Sequence, residues 1–281
     1  MGSLIGIRRR IKSAKNIAQI TRAMQMVSAS KMKRAQDTAL ASRPFTDKLG
    51  VVMSHVSGSA GAKHSLTELR SIRSILVVLI STNKGMCGGL NVNLYRNFLD
   101  FAANHNRAQL SVVTVGKKAK YFVPNQEIKL VAKFNDLNET PTFLETRPIA
   151  RYIMDSFISG QFDQVFLAYP KFVSTLQNEI TFTPLLPITP TNSEQTSDYT
   201  IEPSSSKLLN SLLPYQVEMT LYQTILEARA SEHSARMVAM KSASDNAKEL
   251  IGNLTLDYNQ ARQSQVTSEL LDVTTARMAI E

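Results

Sequence analysis

Apolar residues recur at spacings of three and four at both ends of this chain, and in short unbroken runs across its middle. Near the start, Leu4, Ile7, Ile11, Ala14 and Ala18 form one stripe; Ile17, Ile20, Met24 and Val27 form a neighbouring one, and the pattern continues toward Ala35 and Ala39. Such spacing keeps one side of a helix apolar. Neither glycine nor proline interrupts Ile7 to Arg43. Pro44 predicts the end of this helix, because the residue before a proline avoids the helical region. Leu49 to Val56 has the composition to extend it, and Ser57-Gly58-Ser59-Ala60-Gly61 predicts a flexible linker.

At the other end, Tyr215 to Glu281 holds no proline and one glycine, Gly252. Pro214 predicts the first turn of a helix there. A seam follows at Met237, Met240, Ser244, Ala247, Ile251, Leu254, Tyr258 and Ala261, the alternating spacing of a coiled coil. Past Ala261 the same positions become Gln265, Ser268, Asp272 and Thr275, so an apolar helical partner is expected to end there. At 1.5 Å per residue the two runs reach roughly 55 Å and 100 Å. An ordinary globule of this length has a radius of gyration near ~19 Å. The last helix is therefore expected to project, pairing antiparallel with the first over part of its length and needing another partner beyond.

Between the helices the period changes. Ile75 to Ile80 is a continuous, β-branched-rich run, as for a strand buried on both faces. A glycine-rich turn leads to a helix from about Leu90 to Asn104, then a strand from Leu110 to Val115. Residues 117–123 suggest a short helix, Ile128 to Phe134 a strand, Thr142 to Ser159 a helix and Val165 to Tyr169 a further strand. The proline-rich stretch Pro184 to Pro190 closes the unit, and residues 191–206 read as loop with an edge strand at Tyr199-Thr200-Ile201. Alternating strands and helices imply a mostly parallel sheet. The predicted fold is α/β: a long antiparallel coiled coil of N- and C-terminal helices (residues 1–56 and 208–281) with an inserted Rossmann-like α/β domain at 74–190.

Charge changes this picture. The net +9 is concentrated in residues 1–43, with ten Lys/Arg against Asp37 alone, whereas residues 215–281 carry six against nine acids. A solvated face, nucleic-acid binding and pairing of oppositely charged helices each account for a basic helix; only the last also accounts for the acidic one. The single cysteine, Cys87, excludes an internal disulfide and fits a reducing compartment. The four histidines (His55, His64, His105 and His233) are scattered and offer no zinc set. No apolar run has transmembrane length, and Met1 to Gly6 lacks the features of a signal peptide.

The turn Ser81 to Asn91, between a strand and a helix, invites a phosphate-loop reading. Its glycines fall at Gly85, Gly88 and Gly89, outside the dinucleotide spacing, and Gly116-Lys117 lacks the rest of the other phosphate signature. A tight structural turn is the simpler reading. Cys87 lies near a helix N-terminus, which favours a thiolate, yet no histidine is near it in sequence. Glu227/Glu232 and Asp245/Glu249 occupy positions expected to be solvated, and the Met24/Met26/Met32 and Met237/Met240 groups read as packing. No catalytic constellation emerges.

Four segments together are specific: Arg10-Ile11-Lys12-Ser13-Ala14-Lys15-Asn16-Ile17 through Thr21-Arg22-Ala23-Met24-Gln25-Met26-Val27 to Met32; Lys84-Gly85-Met86-Cys87-Gly88-Gly89-Leu90-Asn91; Glu232-His233-Ser234-Ala235-Arg236-Met237-Val238-Ala239-Met240-Lys241; and Tyr258-Asn259-Gln260-Ala261-Arg262-Gln263 with Val266-Thr267-Ser268-Glu269-Leu270. In this order they resemble the gamma subunits of F-type ATP synthases, the bacterial form above all. The resemblance implies a non-catalytic rotor shaft with no cofactor and no metal. Its partners would be the alpha and beta subunits of the catalytic head, the epsilon subunit and the membrane c-ring. Nucleic acid would not be among them, and membrane contact would come only through the ring. It implies a place on the cytoplasmic face of a bacterial inner membrane, or on the matrix side of a mitochondrial one. Family positions for beta-subunit contact and coupling fall on Met24, Arg236, Gln263, Thr267 and Glu269; the lower-domain turn carries Lys84, Gly85, Cys87, Gly88 and Gly89. By this likeness Arg236 would reach a beta-subunit carboxylate, and Arg236→Ala would loosen coupling more than it weakens the fold. The tail departs from the family's small-residue ending, with Arg277 and no glycine in Val273 to Glu281. The rival readings are a basic coiled-coil nucleic-acid-binding or scaffold protein, and a small nucleotide-dependent enzyme built on the α/β domain.

Overall fold

A computed structural model describes residues 4–60, 64–105, 109–119, 128–189 and 205–279. The elements run α1 (Leu4–Ala60), a 3-10 turn at Ser65–Thr67, β1 (Ile75–Ile80), α2 (Leu90–Asn104), β2 (Leu110–Val115), β3 (Lys129–Phe134), α3 (Phe143–Ile158), β4 (Gln164–Phe172), β5 (Asn178–Leu186) and α4 (Ser205–Met278). They divide into two compact units, one spanning Ala29–Arg236, the other joining Met1–Ser28 to Met237–Glu281.

In the first unit the strands form one sheet of order β3-β2-β1-β4-β5. β1 pairs in parallel with β2 and β4, β2 in parallel with β3, and β5 runs antiparallel to β4. Every residue of β1 is buried because the sheet is covered twice. Leu76, Val78 and Ile80 point into a core shared with Ile149, Ile153 and Phe157 of α3 and with Leu209, Leu213, Val217, Leu221 and Ile225 of α4. Ile75, Val77 and Leu79 point the other way, onto Leu94, Tyr95 and Phe98 of α2. Strand side chains alternate between faces, so burial on both removes the polar half of the pattern. α3 is started by Glu145, whose Oε2 accepts from the Thr142 backbone N–H at 3.0 Å.

The mostly parallel sheet matches the sequence expectation; β5 does not appear in it. Its residues Asn178-Glu179-Ile180-Thr181-Phe182-Thr183 alternate as an edge strand does, and Pro184 lies within the strand, where an edge tolerates it. Only the first part of the short helix expected at 117–123 falls within the described residues, and the expected edge strand at Tyr199 to Ile201 lies outside them.

Two helix boundaries are corrected. α1 does not stop before Pro44 but continues to Ala60, through part of the expected linker, and α4 begins at Ser205 rather than at Pro214. A proline inside a helix forfeits one hydrogen bond and crowds the preceding turn, at about 3 kcal/mol. Tertiary contacts around each proline offset that. Phe45 packs edge-on against Tyr215 with centroids 5.8 Å apart, Leu49 is buried in the core, and Leu209 and Leu213 are buried just before Pro214. Gln223 Nε2 donates to the Ala39 carbonyl at 3.3 Å and Ser42 Oγ donates to Gln223 Oε1. Residues rising along α1 thus meet residues falling along α4, which is the antiparallel sense expected.

The second unit is the pair of helix segments from α1 and α4. Ala14, Ser28, Met240, Ser244, Ala247 and Leu254 are buried, and Ser244 Oγ reaches the Ala18 carbonyl at 3.5 Å. Ile17, Ile20 and Val27, expected as a second packed stripe, are instead exposed. Thr21 and Ser28 continue the α1 seam in their place, the Thr21 hydroxyl donating to the Ile17 carbonyl of its own helix at 2.8 Å. Small side chains at a helix contact let backbones approach closely. On α4 the seam ends at Ala261, and from Arg262 to Ala279 every residue is exposed.

Candidate functional site

The turn after β1 is built before anything can bind to it. Ser81 N–H continues the sheet by donating to the Val115 carbonyl at 2.8 Å, and Ser81 Oγ accepts from the Ala119 N–H at 2.9 Å. Gly116, at φ +97°, lies so close that a Cβ there would sit 2.4 Å from the Ser81 carbonyl oxygen. Thr82 Oγ1 donates to the Lys84 carbonyl at 2.8 Å and accepts from Asn91 Nδ2 at 2.8 Å. Asn83 Nδ2 holds the Leu137 carbonyl at 3.0 Å. Met86 and Gly88 take φ of 61° and 59°, the left-handed region that glycine occupies without penalty.

What fills this turn comes from the chain itself. Arg236 of α4 donates from Nε to the Gly85 carbonyl at 3.2 Å and from Nη2 to the Lys84 carbonyl at 3.3 Å. A phosphate loop aims backbone N–H groups at its anion; here Lys84 and Gly85 aim carbonyls at a guanidinium. In open α/β sheets ligands bind beyond the carboxyl ends of the strands, where strand order reverses. The turn that follows the central strand β1 therefore receives an internal cation. Among the described residues no group of three His, Cys, Asp or Glu side chains is arranged to hold a metal. Cys87 is 3% exposed, and burial pushes its thiol pKa up, which disfavours a thiolate even though Asn91 Nδ2 donates to the sulfur at 3.4 Å.

Arg236 belongs to a buried ionic cluster. Its Nη2 also donates to Glu232 Oε1 at 2.7 Å, while Arg229 Nη1 donates to Glu232 Oε2 at 2.7 Å. Glu232 is only 4% exposed, which corrects the expectation that it is solvated; Asp245 and Glu249 do lie on the exposed face. Two further cations converge nearby, where Glu139 accepts from Lys31 of α1 through one carboxylate oxygen and from Lys84 through the other. Those two hydrogen bonds, ahead of any other cause, hold the Glu139 carboxyl down at about 2.

His233 sits inside the cluster, 4% exposed. Arg236 Nη1, which can only donate, lies 3.3 Å from its Nδ1, which must therefore carry a lone pair. Burial is the main reason its pKa falls to about 4; Arg236 and Lys31 push the same way, and Glu232 and Glu139 oppose them. The unfolded chain then binds one more proton than the folded chain between pH 6.5 and about 4. The stability contributed by a neutral His233 is complete above that window and lost as pH falls through it. We expect the wild-type unfolding free energy to decline across the window by on the order of 3 kcal/mol, and His233→Gln to flatten that slope. Parallel slopes for the two proteins would refute the assignment.

The sequence-derived site residues thus separate. Arg236 joins Lys84 and Gly85 and, at 7% exposure, lies inside the chain with its donors engaged. Cys87, Gly88 and Gly89 complete the same turn. Met24 is half-buried on α1, whereas Gln263, Thr267 and Glu269 line the exposed end of α4. There Thr267 Oγ1 donates to the Gln263 carbonyl at 2.9 Å, Thr255 and Thr275 bond back likewise to Ile251 and Leu271, and Gln265 pairs with Glu269 at 2.9 Å. Leu270, Leu271 and Val273 are exposed beside them. Sequence reasoning missed Arg229, Lys31 and Glu139. The spacing of Arg229, Glu232 and Arg236 at i, i+3 and i+7 was a visible signal; Glu139 had none.

A family described as ATP synthase matches residues 3–280 of the chain. A Dehalococcoides mccartyi protein described as ATP synthase gamma chain is 46% identical over 278 residues, covering 97% of each chain. One of the same description from Roseiflexus castenholzii is 42% identical over 287 residues, covering 100% of this chain and 99% of the other. Among solved structures, a chain from the central stalk and c-ring of the Tetrahymena thermophila mitochondrial ATP synthase aligns with a TM-score of 0.62 at 26% identity, covering 80% of this chain and 99% of that one. A chain of the Euglena gracilis mitochondrial ATP synthase gives a TM-score of 0.70 at 19% identity, over 99% and 95%, and supports the fold alone.

Proposed function

The chain belongs to the ATP synthase gamma-chain family, and we propose that it is the central-stalk rotor that couples turning of the c-ring to the conformational cycle of the catalytic beta subunits. One observation carries this reading. α4 outlives its seam: from Arg262 to Met278 a continuous helix has every residue exposed, apolar ones included. An isolated helix of that length is marginal in water and draws its stability from packing. A sleeve of alpha and beta subunits would supply it.

The mechanism needs differential contact. A rotor shifts a beta subunit between open and closed states only if each orientation binds one state better than the other. Met24, Gln263, Thr267 and Glu269 are the residues proposed to provide that contact. Arg236, held inside, acts through the turn it positions. The chain itself binds no nucleotide and performs no chemistry in this reading. The α/β sheet, residues 74–190, would face the epsilon subunit and the c-ring, with the helical regions 1–56 and 208–281 serving the head. No described helix is long and apolar enough to cross a membrane, so attachment at the cytoplasmic face of a bacterial inner membrane would come through the ring.

The direct test is rotation. In a head assembled from the cognate alpha and beta subunits, a bead fixed to the α/β sheet should turn stepwise in one direction when ATP is added. A stationary bead in a head that hydrolyses ATP rejects the rotor assignment. A companion variant, Gln263→Ala/Thr267→Ala/Glu269→Ala, alters only exposed side chains, so each change should stay within about 0.5 kcal/mol in stability. ATP-driven proton pumping by the membrane complex should nevertheless fall several-fold. Full pumping in that variant would remove these residues from the contact.

A further inference from the structure

We propose that Glu139 is a positioning residue: it pins the turn after β1 to α1, so that the α/β sheet and the two long helices turn as one body. This rests on the rotor reading. Glu139 lies in the loop between β3 and α3. Its two carboxylate oxygens go to different elements, Oε1 to Lys84 of the turn and Oε2 to Lys31 of α1. The same turn is gripped from its other side by α4, whose Arg236 holds the Lys84 and Gly85 carbonyls. A closed circuit results: α4, Arg236, the turn, Lys84, Glu139, Lys31 and α1. Asn83 Nδ2 braces it by holding the Leu137 carbonyl in the Glu139 loop at 3.0 Å.

The placement suits stiffness better than stability. Lys31, Lys84 and Glu139 side chains retain 39%, 68% and 34% of their exposure, and partly exposed ion pairs add little to folding. Yet the bridge is a polar link between α1 and the turn, as Arg236 is between α4 and the turn. Under torque, without this bridge the turn would be gripped by Arg236 of α4 while α1 kept only its packing contacts, such as Leu49 in the core. The carboxylate stays charged throughout the physiological range, because its two lysines hold the pKa at about 2.

The test uses the complete chain in its assembled catalytic head, with a bead on the α/β sheet through Asn97→Cys on the exposed face of α2. The readout is the angular variance of the stalled rotor. If the Arg236 grip and the Glu139 bridge act in parallel with similar stiffness, Glu139→Gln should widen that variance about twofold, Lys31→Gln should match it, and the double variant should be no wider than either. Unloaded ATP hydrolysis and melting temperature should remain at wild-type level. Unchanged variance, additive widening, or widening with a matching loss of melting temperature would each overturn the pin. A wild-type chain that fails to rotate at all overturns the rotor reading and this inference with it.

Discussion

Replacing Arg236 by alanine should destabilise the chain by about 3–5 kcal/mol, the usual consequence of removing one partner from a buried ion pair. The residue is 7% exposed, and its guanidinium satisfies Glu232 Oε1, the Lys84 and Gly85 carbonyls and His233 Nδ1. Arg229 would still hold the other Glu232 oxygen, which places the expected loss toward the lower end of that range. Denaturant titration of the purified chain checks this; a change under 1 kcal/mol would mean that the cluster relaxes into solvent. Arg236→Lys separates charge from shape. It keeps a cation for Glu232 but cannot span both carbonyls, because an ammonium lacks the planar fork. The sequence resemblance suggested that coupling would suffer more than stability. The buried contacts add a stability loss to that expectation, and any coupling loss should follow from a loosened turn.

Gly116→Ala should be comparably damaging, by a different route. At φ +97° an L side chain is strained by roughly 1–2 kcal/mol. The new Cβ would also meet the Ser81 carbonyl oxygen at 2.4 Å and the Ser81 carbon and hydroxyl at 3.0 Å. The obstacle is backbone, which cannot swing aside, and overpacking of this kind adds roughly 1–3 kcal/mol. Ser81 anchors the turn through Val115 and Ala119, so the clash should spread to Lys84 and Gly85 and weaken the Arg236 grip. Circular dichroism melting and expression yield are the measurements. A variant that melts with wild type would show that β2 can retreat from the turn.

The parts of this fold legible from sequence are those where burial and chemical type agree. β1 is an unbroken apolar run because both faces are covered, and the α4 seam from Met237 to Ala261 shows its 3–4 period because one side alone is covered. Reading failed where they part. On α1 the seam passes through Thr21 and Ser28, while the greasier Ile17, Ile20 and Val27 face outward. A hydroxyl that bonds back to its own helix packs as a small residue does, and composition cannot reveal that. Pro44 and Pro214 carry a strong local preference that distant contacts override. β5 is an edge strand whose pattern is half polar. In the candidate site, the turn was recognisable from its glycines and Arg236 from its neighbours. Their meeting was not, since 151 residues separate Arg236 from Gly85. Glu139 stood in no motif; only tertiary structure gives it two lysines.

The exposed end of α4 carries one more implication. Its threonine hydroxyls are already spent on carbonyls of the same helix, at Thr267, Thr274 and Thr275. Past Glu269 it also presents apolar residues such as Leu270, Leu271 and Val273, and apolar contact has no preferred direction. In the rotor reading, a spindle end of this kind should draw its angular preference from Gln263, Thr267 and Glu269 rather than from its last turns.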